Sequence, residues 1–170
     1  MSIGLLILRL VVGLSLAAHG AQKLFGWFGG YGLAGTGQFL EQLGFRPGRV
    51  QAARAGTAEL VGGLFLAAGF LTPAAAAAVV AVMLVAAVSV HIKKGFFAHN
   101  GGYEYTLVLG GAALALAFTG PGALSLDQAL GISWSGDTWG LAGLAAGLIG
   151  GAGPLLSRKT ELTSTAHDAA

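Results

Sequence analysis

The chain has 170 residues, 55% hydrophobic and 9% charged, with a mean hydropathy of +0.75; soluble domains carry about 25% charged residues, which excludes a water-soluble fold. Net charge is only +2, with no basic stripe and interleaved aromatics, so nucleic acid is excluded as a partner. Absence of cysteine removes disulfides, thiolate chemistry and Cys-ligated metal or iron–sulfur sites.

Five apolar segments follow in chain order, each near the roughly 20 residues that cross a bilayer. Residues 3–24 form the first. Its only early charge, Arg9, lies inside the segment rather than before it, which argues for a span and against a cleaved signal peptide. A long loop follows, in which the stretch Thr36 to Leu43 predicts a short surface helix with Thr36 as N-cap. The aromatics Phe25, Trp27, Phe28 and Tyr31 precede it, placed to anchor at the headgroup level or to form a lid over a membrane-facing site. Residues 52–71 and 73–92 are the second and third segments, divided at Thr72-Pro73. Residues 103–119 are the fourth, after Asn100-Gly101-Gly102, and 138–156 the fifth, after the Gly120-Pro121-Gly122 loop. In that loop Ser125 and Asp127 read as turn residues.

The fold class is therefore all-α, a transmembrane helical bundle of four core helices plus a fifth C-terminal helix. One domain covers residues 1–157, followed by a mobile polar cytoplasmic tail, 158–170. With five spans, Lys23, Arg46, Arg49, Arg54, Lys93, Lys94, Arg158 and Lys159 all fall on one side. The positive-inside rule makes that side cytoplasmic and puts the N-terminus outside. The alternative is that 138–156 lies in the interface or re-enters the bundle.

Helices in lipid associate through close backbone approach and hydrogen bonds. Gly143, Gly147 and Gly151 form a double GxxxG, fit for a neighbouring helix or a second protomer. Glu104, Gly111 and Ala115 share one face of the fourth segment, and Glu59 and Gly63, with Gly56 nearby, share one on the second. Both glutamates are thereby expected to face the bundle interior.

Ionisable groups within spans cost at least ~2.5 kcal/mol at the bilayer centre for Asp, Lys or Arg, so each demands a reason. The candidate ligand-binding or proton-exchange residues are Arg9, His19, Gln22, Lys23, Arg54, Glu59, His91, Glu104 and Tyr105. Most gather near the basic end, with Glu59 about two turns in, ~10 Å at 1.5 Å per residue. Arg9 is the exception, toward the opposite leaflet, either snorkelling outward or paired with Glu59 or Glu104. His19 and His91 on separate helices admit shared cofactor ligation, proton exchange, or plain hydrogen bonding. Glu104 suits a helix N-terminus. No phosphate loop, Ser-His-Asp arrangement or metal-ligand spacing is present.

Four ordered blocks resemble the DoxX family: Arg9-Leu10-Val11-Val12-Gly13 with His19-Gly20-Ala21-Gln22-Lys23-Leu24; Glu59-Leu60-Val61-Gly62-Gly63-Leu64 with Gly69 and Leu71-Thr72; Gly101-Gly102-Tyr103-Glu104-Tyr105; and Gly120-Pro121-Gly122-Ala123-Leu124-Ser125-Leu126-Asp127. The resemblance implies a small inner-membrane protein, bacterial or archaeal, with a four-helix core. It also implies association with thiosulfate:quinone oxidoreductase or with oxidative-stress and thiol-handling complexes. The fifth segment departs from that pattern. The expected function is a redox-associated subunit or anchor, binding a quinone-like hydrophobic ligand or a soluble oxidoreductase on the cytoplasmic side. Haem is the weaker cofactor alternative, no metal is expected, and catalytic residues are not assigned. A transporter or pore, and a scaffold without chemistry of its own, are the competing readings.

Overall fold

The computed structural model describes residues 2–159, and those residues form helices and turns without strands. Helix α1 is Ser2–Phe25, α2 Gly32–Gln42, α3 Gly48–Ala68, α4 Thr72–Ala86, α5 Glu104–Thr119, α6 Leu126–Ala129 and α7 Asp137–Leu156. The end of α4 widens into a π turn over Ala87–His91 and tightens again over Ile92–Lys94. Ser2–Phe25, Thr72–Lys94 and Asp137–Leu156 are long and apolar enough to cross a membrane, and Glu104–Thr119 is a shorter apolar helix. Helix α3 has the length, but Arg49, Arg54 and Glu59 lie within it.

The α1–α3 crossing is built on glycine. A Cβ on Gly20 would collide with the Leu60 backbone, and one on Gly13 with the Gly63 carbonyl. Gly13 and Gly20 face Gly63 and Gly56, a seven-residue step on both helices that keeps one small-residue face toward its partner. Above this seam the apolar core gathers Leu16, Leu66, Val79, Ala113 and Leu116 from α1, α3, α4 and α5.

The double GxxxG is consumed inside the chain. Gly143 faces the Pro73 carbonyl, Gly147 faces Val80 and Ala77, and Gly151 faces Leu84 and Ala81. All three are buried against α4, so Gly143, Gly147 and Gly151 do not present a surface to a second protomer. On α5 the expected face is also corrected. Gly111 and Ala115 are exposed, and Thr106, Leu109, Ala113 and Leu116 are buried instead. Bulk decides this, since leucines fill the space between α4 and α5 that glycine would leave empty.

Three further expectations change. The surface helix begins at Gly32, four residues before Thr36, and Thr36 is buried within it rather than capping it. Asp127 is not a free turn residue but 1% exposed. The tail does not leave the bundle at residue 158: Lys159 N–H donates to the Gly44 carbonyl at 3.0 Å, and the Arg158 guanidinium lies over the Phe45 ring. Residues 160–170 of the expected tail lie outside the described residues.

Candidate functional site

The polar residues of the spans separate into two clusters at opposite ends of the bundle. At the basic end, the last turns of α1 present His19, Gln22 and Lys23 on one side, as the helical period requires. Lys23 donates to the Glu59 carboxylate across the α1–α3 crossing, an ion pair in which Glu59 is almost fully buried and Lys23 is 30% exposed. The second Glu59 oxygen has no partner among the described residues.

A directional hydrogen-bond chain runs beside that pair. The Tyr105 hydroxyl approaches His19 Nε2 at 3.4 Å, and His19 Nδ1 lies 3.0 Å from Gln22 Oε1. Gln22 Nε2 in turn donates to the Phe28 carbonyl at 3.2 Å. A carbonyl oxygen only accepts, so the amide donates at Phe28 and accepts from Nδ1–H. In the neutral ring His19 Nε2 is then the acceptor for Tyr105. The chain joins α1, α5 and the loop after α1.

That loop folds back sharply. Gly26 has φ 73 and Phe28 φ 53; a left-handed conformation is costly for a bulky residue, and the Gln22 side chain holds it. The return brings Tyr31 and the start of α2 over the end of α1. Between them lies a pocket of about 550 Å³ lined by His19, Gln22, Lys23, Tyr31, Gln38 and Phe39, among others. Its volume is in the range of small-molecule sites, about 300–1,000 Å³. Sequence reasoning missed Gln38 and Phe39. The detectable signal is that they directly follow the small residues Gly35-Thr36-Gly37 in α2.

His91 and Glu104 are not part of this pocket. His91 Nδ1 donates to the Gly101 carbonyl at 2.6 Å, and Glu104 Oε2 accepts from Ala98 N–H at 2.8 Å. Together they fold the 95–103 loop, so His19 and His91 each have separate partners rather than a shared ligand. Arg54 lies on the other side of α3 and lines two apolar hollows there.

The opposite end holds Arg9, paired with neither Glu59 nor Glu104. Its guanidinium, 1% exposed, donates to the Leu124 carbonyl, and Asp127 is the acidic group that acts on it electrostatically. Arg9 does not snorkel because the 120–127 loop closes over it. Asp127 accepts from Leu71 N–H at 2.7 Å, Thr72 N–H at 3.0 Å and Thr72 Oγ1 at 2.7 Å. It thus satisfies the open donors at the start of α4, and its own N–H donates to the Gly69 carbonyl. The signal for Asp127 was a solitary acid in an uncharged loop, on the side of the bundle where Arg9 was the one basic span residue.

Residues 4–92, just over half of the chain, match the DoxX family model. The chain belongs to the DoxX family. The matched region of this DoxX protein contains α1 to α4, and with them Arg9, the Lys23–Glu59 pair and the floor and wall of the pocket. A relative, Inner membrane protein YqjF of Escherichia coli (strain K12), is 30% identical over 132 residues, which cover 78% of this chain and 95% of the relative. No solved structure matches it. The family membership and the apolar helices make the chain a multi-pass membrane protein.

Proposed function

We propose that this DoxX protein is an inner-membrane, redox-associated subunit that holds the polar head of a quinone-like hydrophobic ligand in the pocket between α1 and α2. One observation carries the reading: His19 and Gln22 of the Tyr105–His19–Gln22 chain and Lys23 of the Lys23–Glu59 pair line the same pocket. Quinone-like heads carry carbonyl oxygens that accept hydrogen bonds, and they take up protons with electrons on reduction. Lys23 is placed to donate to such an oxygen. His19 can pass a proton, since its ring already links a donor to an acceptor. Electrons would come from a partner oxidoreductase at the basic end. Reading α1, α3, α4, α5 and α7 as five spans, the positive-inside rule supports a cytoplasmic position for that end. The name of the Escherichia coli relative supports the inner membrane as the location.

Exposed Trp27, Phe28 and Tyr31 suit the headgroup level, where a lipophilic ligand would enter beneath α2. A conducting path, the competing reading, meets the Gly13–Gly63 contact. There α1 and α3 touch backbone to backbone between the two polar clusters.

The test is mass spectrometry of extracted ligand, with an optical spectrum, on protein purified gently from its native membrane. Stoichiometric quinone in the wild type, lost in Lys23→Ala and His19→Ala proteins that stay folded, is the expected result. A colourless protein carrying bulk phospholipid alone would overturn the reading.

A further inference from the structure

We propose that the groove between α3 and α4, on the far side of α3 from the His19 pocket, binds an anionic phospholipid with its phosphate on Arg54. Two hollows, of about 280 and 650 Å³, share Arg54, Ala58 and Ala78 as walls. Their other walls are overwhelmingly apolar, and the larger one continues along Val61 and Phe65 to Leu71. The groove exists because α3 and α4 meet through alanine. Gly62 lies against Ala78 and Ala75, and no long side chain from either helix fills the channel beside that contact.

Arg54 is exposed and makes no hydrogen bond or ion pair with any described residue. It differs in this from Arg9, Lys23 and Arg158, each of which is held by another part of the chain. An arginine about four turns from the far end of its helix, beside apolar walls, extends its stem along them and seeks an anion at the headgroup level. A phosphate matches the guanidinium fork with two parallel hydrogen bonds.

The dimensions agree with a lipid. From Arg54 to Phe65, eleven residues of α3 rise ~16 Å, and one leaflet of the hydrocarbon core is ~15 Å. The larger hollow, running from Arg54 past Val61 and Phe65 to Leu71, has the direction of an acyl chain leaving that headgroup. A zwitterionic lipid brings its own ammonium beside the phosphate, which competes with Arg54. The preference is therefore for a headgroup of net negative charge.

Native mass spectrometry of the full chain, with phosphatidylglycerol and phosphatidylcholine supplied in equal amounts, tests the site. Retention of phosphatidylglycerol should exceed that of phosphatidylcholine by about tenfold, the effect of one charge-assisted hydrogen bond. Arg54→Gln should remove the preference and Arg54→Lys should keep most of it. Thr57→Phe, at an exposed groove position one turn away, should lower retention of both lipids. These side chains face outward, so the variants should fold as the wild type does. Equal retention of the two lipids by the wild type would overturn the proposal, as would an undiminished preference in Arg54→Gln. His19→Ala should leave the lipid preference unchanged, which separates this site from the pocket under α2.

Discussion

Lys23 on α1 and Glu59 on α3 form an ion pair at the end of a helix crossing whose other close contacts are glycine. The two partners are unequally buried, with Lys23 at 30% exposure and Glu59 at 3%. Lys23 can recover water if its partner is removed; Glu59 cannot. Lys23→Ala should therefore cost more stability than Glu59→Gln, approaching the about 3 kcal/mol at the low end for breaking a buried pair. Glu59→Gln should cost about 1 kcal/mol. Thermal unfolding in one detergent compares them, and equal losses would contradict the asymmetry.

Asp127 has two tasks at the opposite end, capping α4 and facing the buried Arg9 charge. Asp127→Ala should destabilise by about 3–5 kcal/mol. Arg9→Leu combined with Asp127→Ala should cost less than the sum of the single changes, with a coupling of about 0.5–3 kcal/mol. Strict additivity in that cycle would show that the two groups do not act on one another.

Glycines in this chain divide sharply by what surrounds them. Gly20→Val should unfold the α1–α3 crossing, because the new Cβ would meet the Leu60 backbone. Gly111→Ala meets nothing within 4 Å and should stabilise α5 by about 0.5–1 kcal/mol. Helicity and melting temperature of the two purified variants check this contrast, and a tolerated Gly20→Val would refute the seam.

Gly147→Leu should lower the stability of the single chain rather than change how many chains associate, since Val80 and the Ala77 carbonyl occupy the space it needs. Cross-linking and unfolding measured on the same preparation separate the outcomes. Loss of an oligomer with an unchanged melting temperature would return the GxxxG stripe to an intermolecular role.

The two left-handed non-glycine residues among the described ones, Phe28 and Leu71, each lie at one polar cluster. Gln22 holds the carbonyl of the first, and Asp127 holds the N–H of the second. Such conformations cost of order 1–3 kcal/mol and persist where the surroundings over-determine them. Each cluster thus fixes a sharp turn: one roofs the pocket, the other starts α4.

The all-helical bundle was legible because hydropathy over about 20 residues is a local property of the chain. So was the grouping of His19, Gln22 and Lys23, which follows from the helical period on a single helix. The Glu59, Gly63 and Gly56 face was also correct, since a charge is costly in lipid and glycine lets a partner helix approach closely. The same logic failed for Glu104, Gly111 and Ala115. A small residue is compatible with lipid when bulkier neighbours fill the interface.

Sequence by itself determined the solvent, the helices and the residues in need of an explanation, because composition and periodicity are properties of short stretches. Only the tertiary structure decided the partners. Lys23 rather than Arg9 reached Glu59, Arg9 reached the Leu124 carbonyl near Asp127, and α4 rather than a second chain took the glycines of α7. Pairing between distant segments depends on helix order, tilt and loop path, which bring together groups that no periodicity within one helix relates.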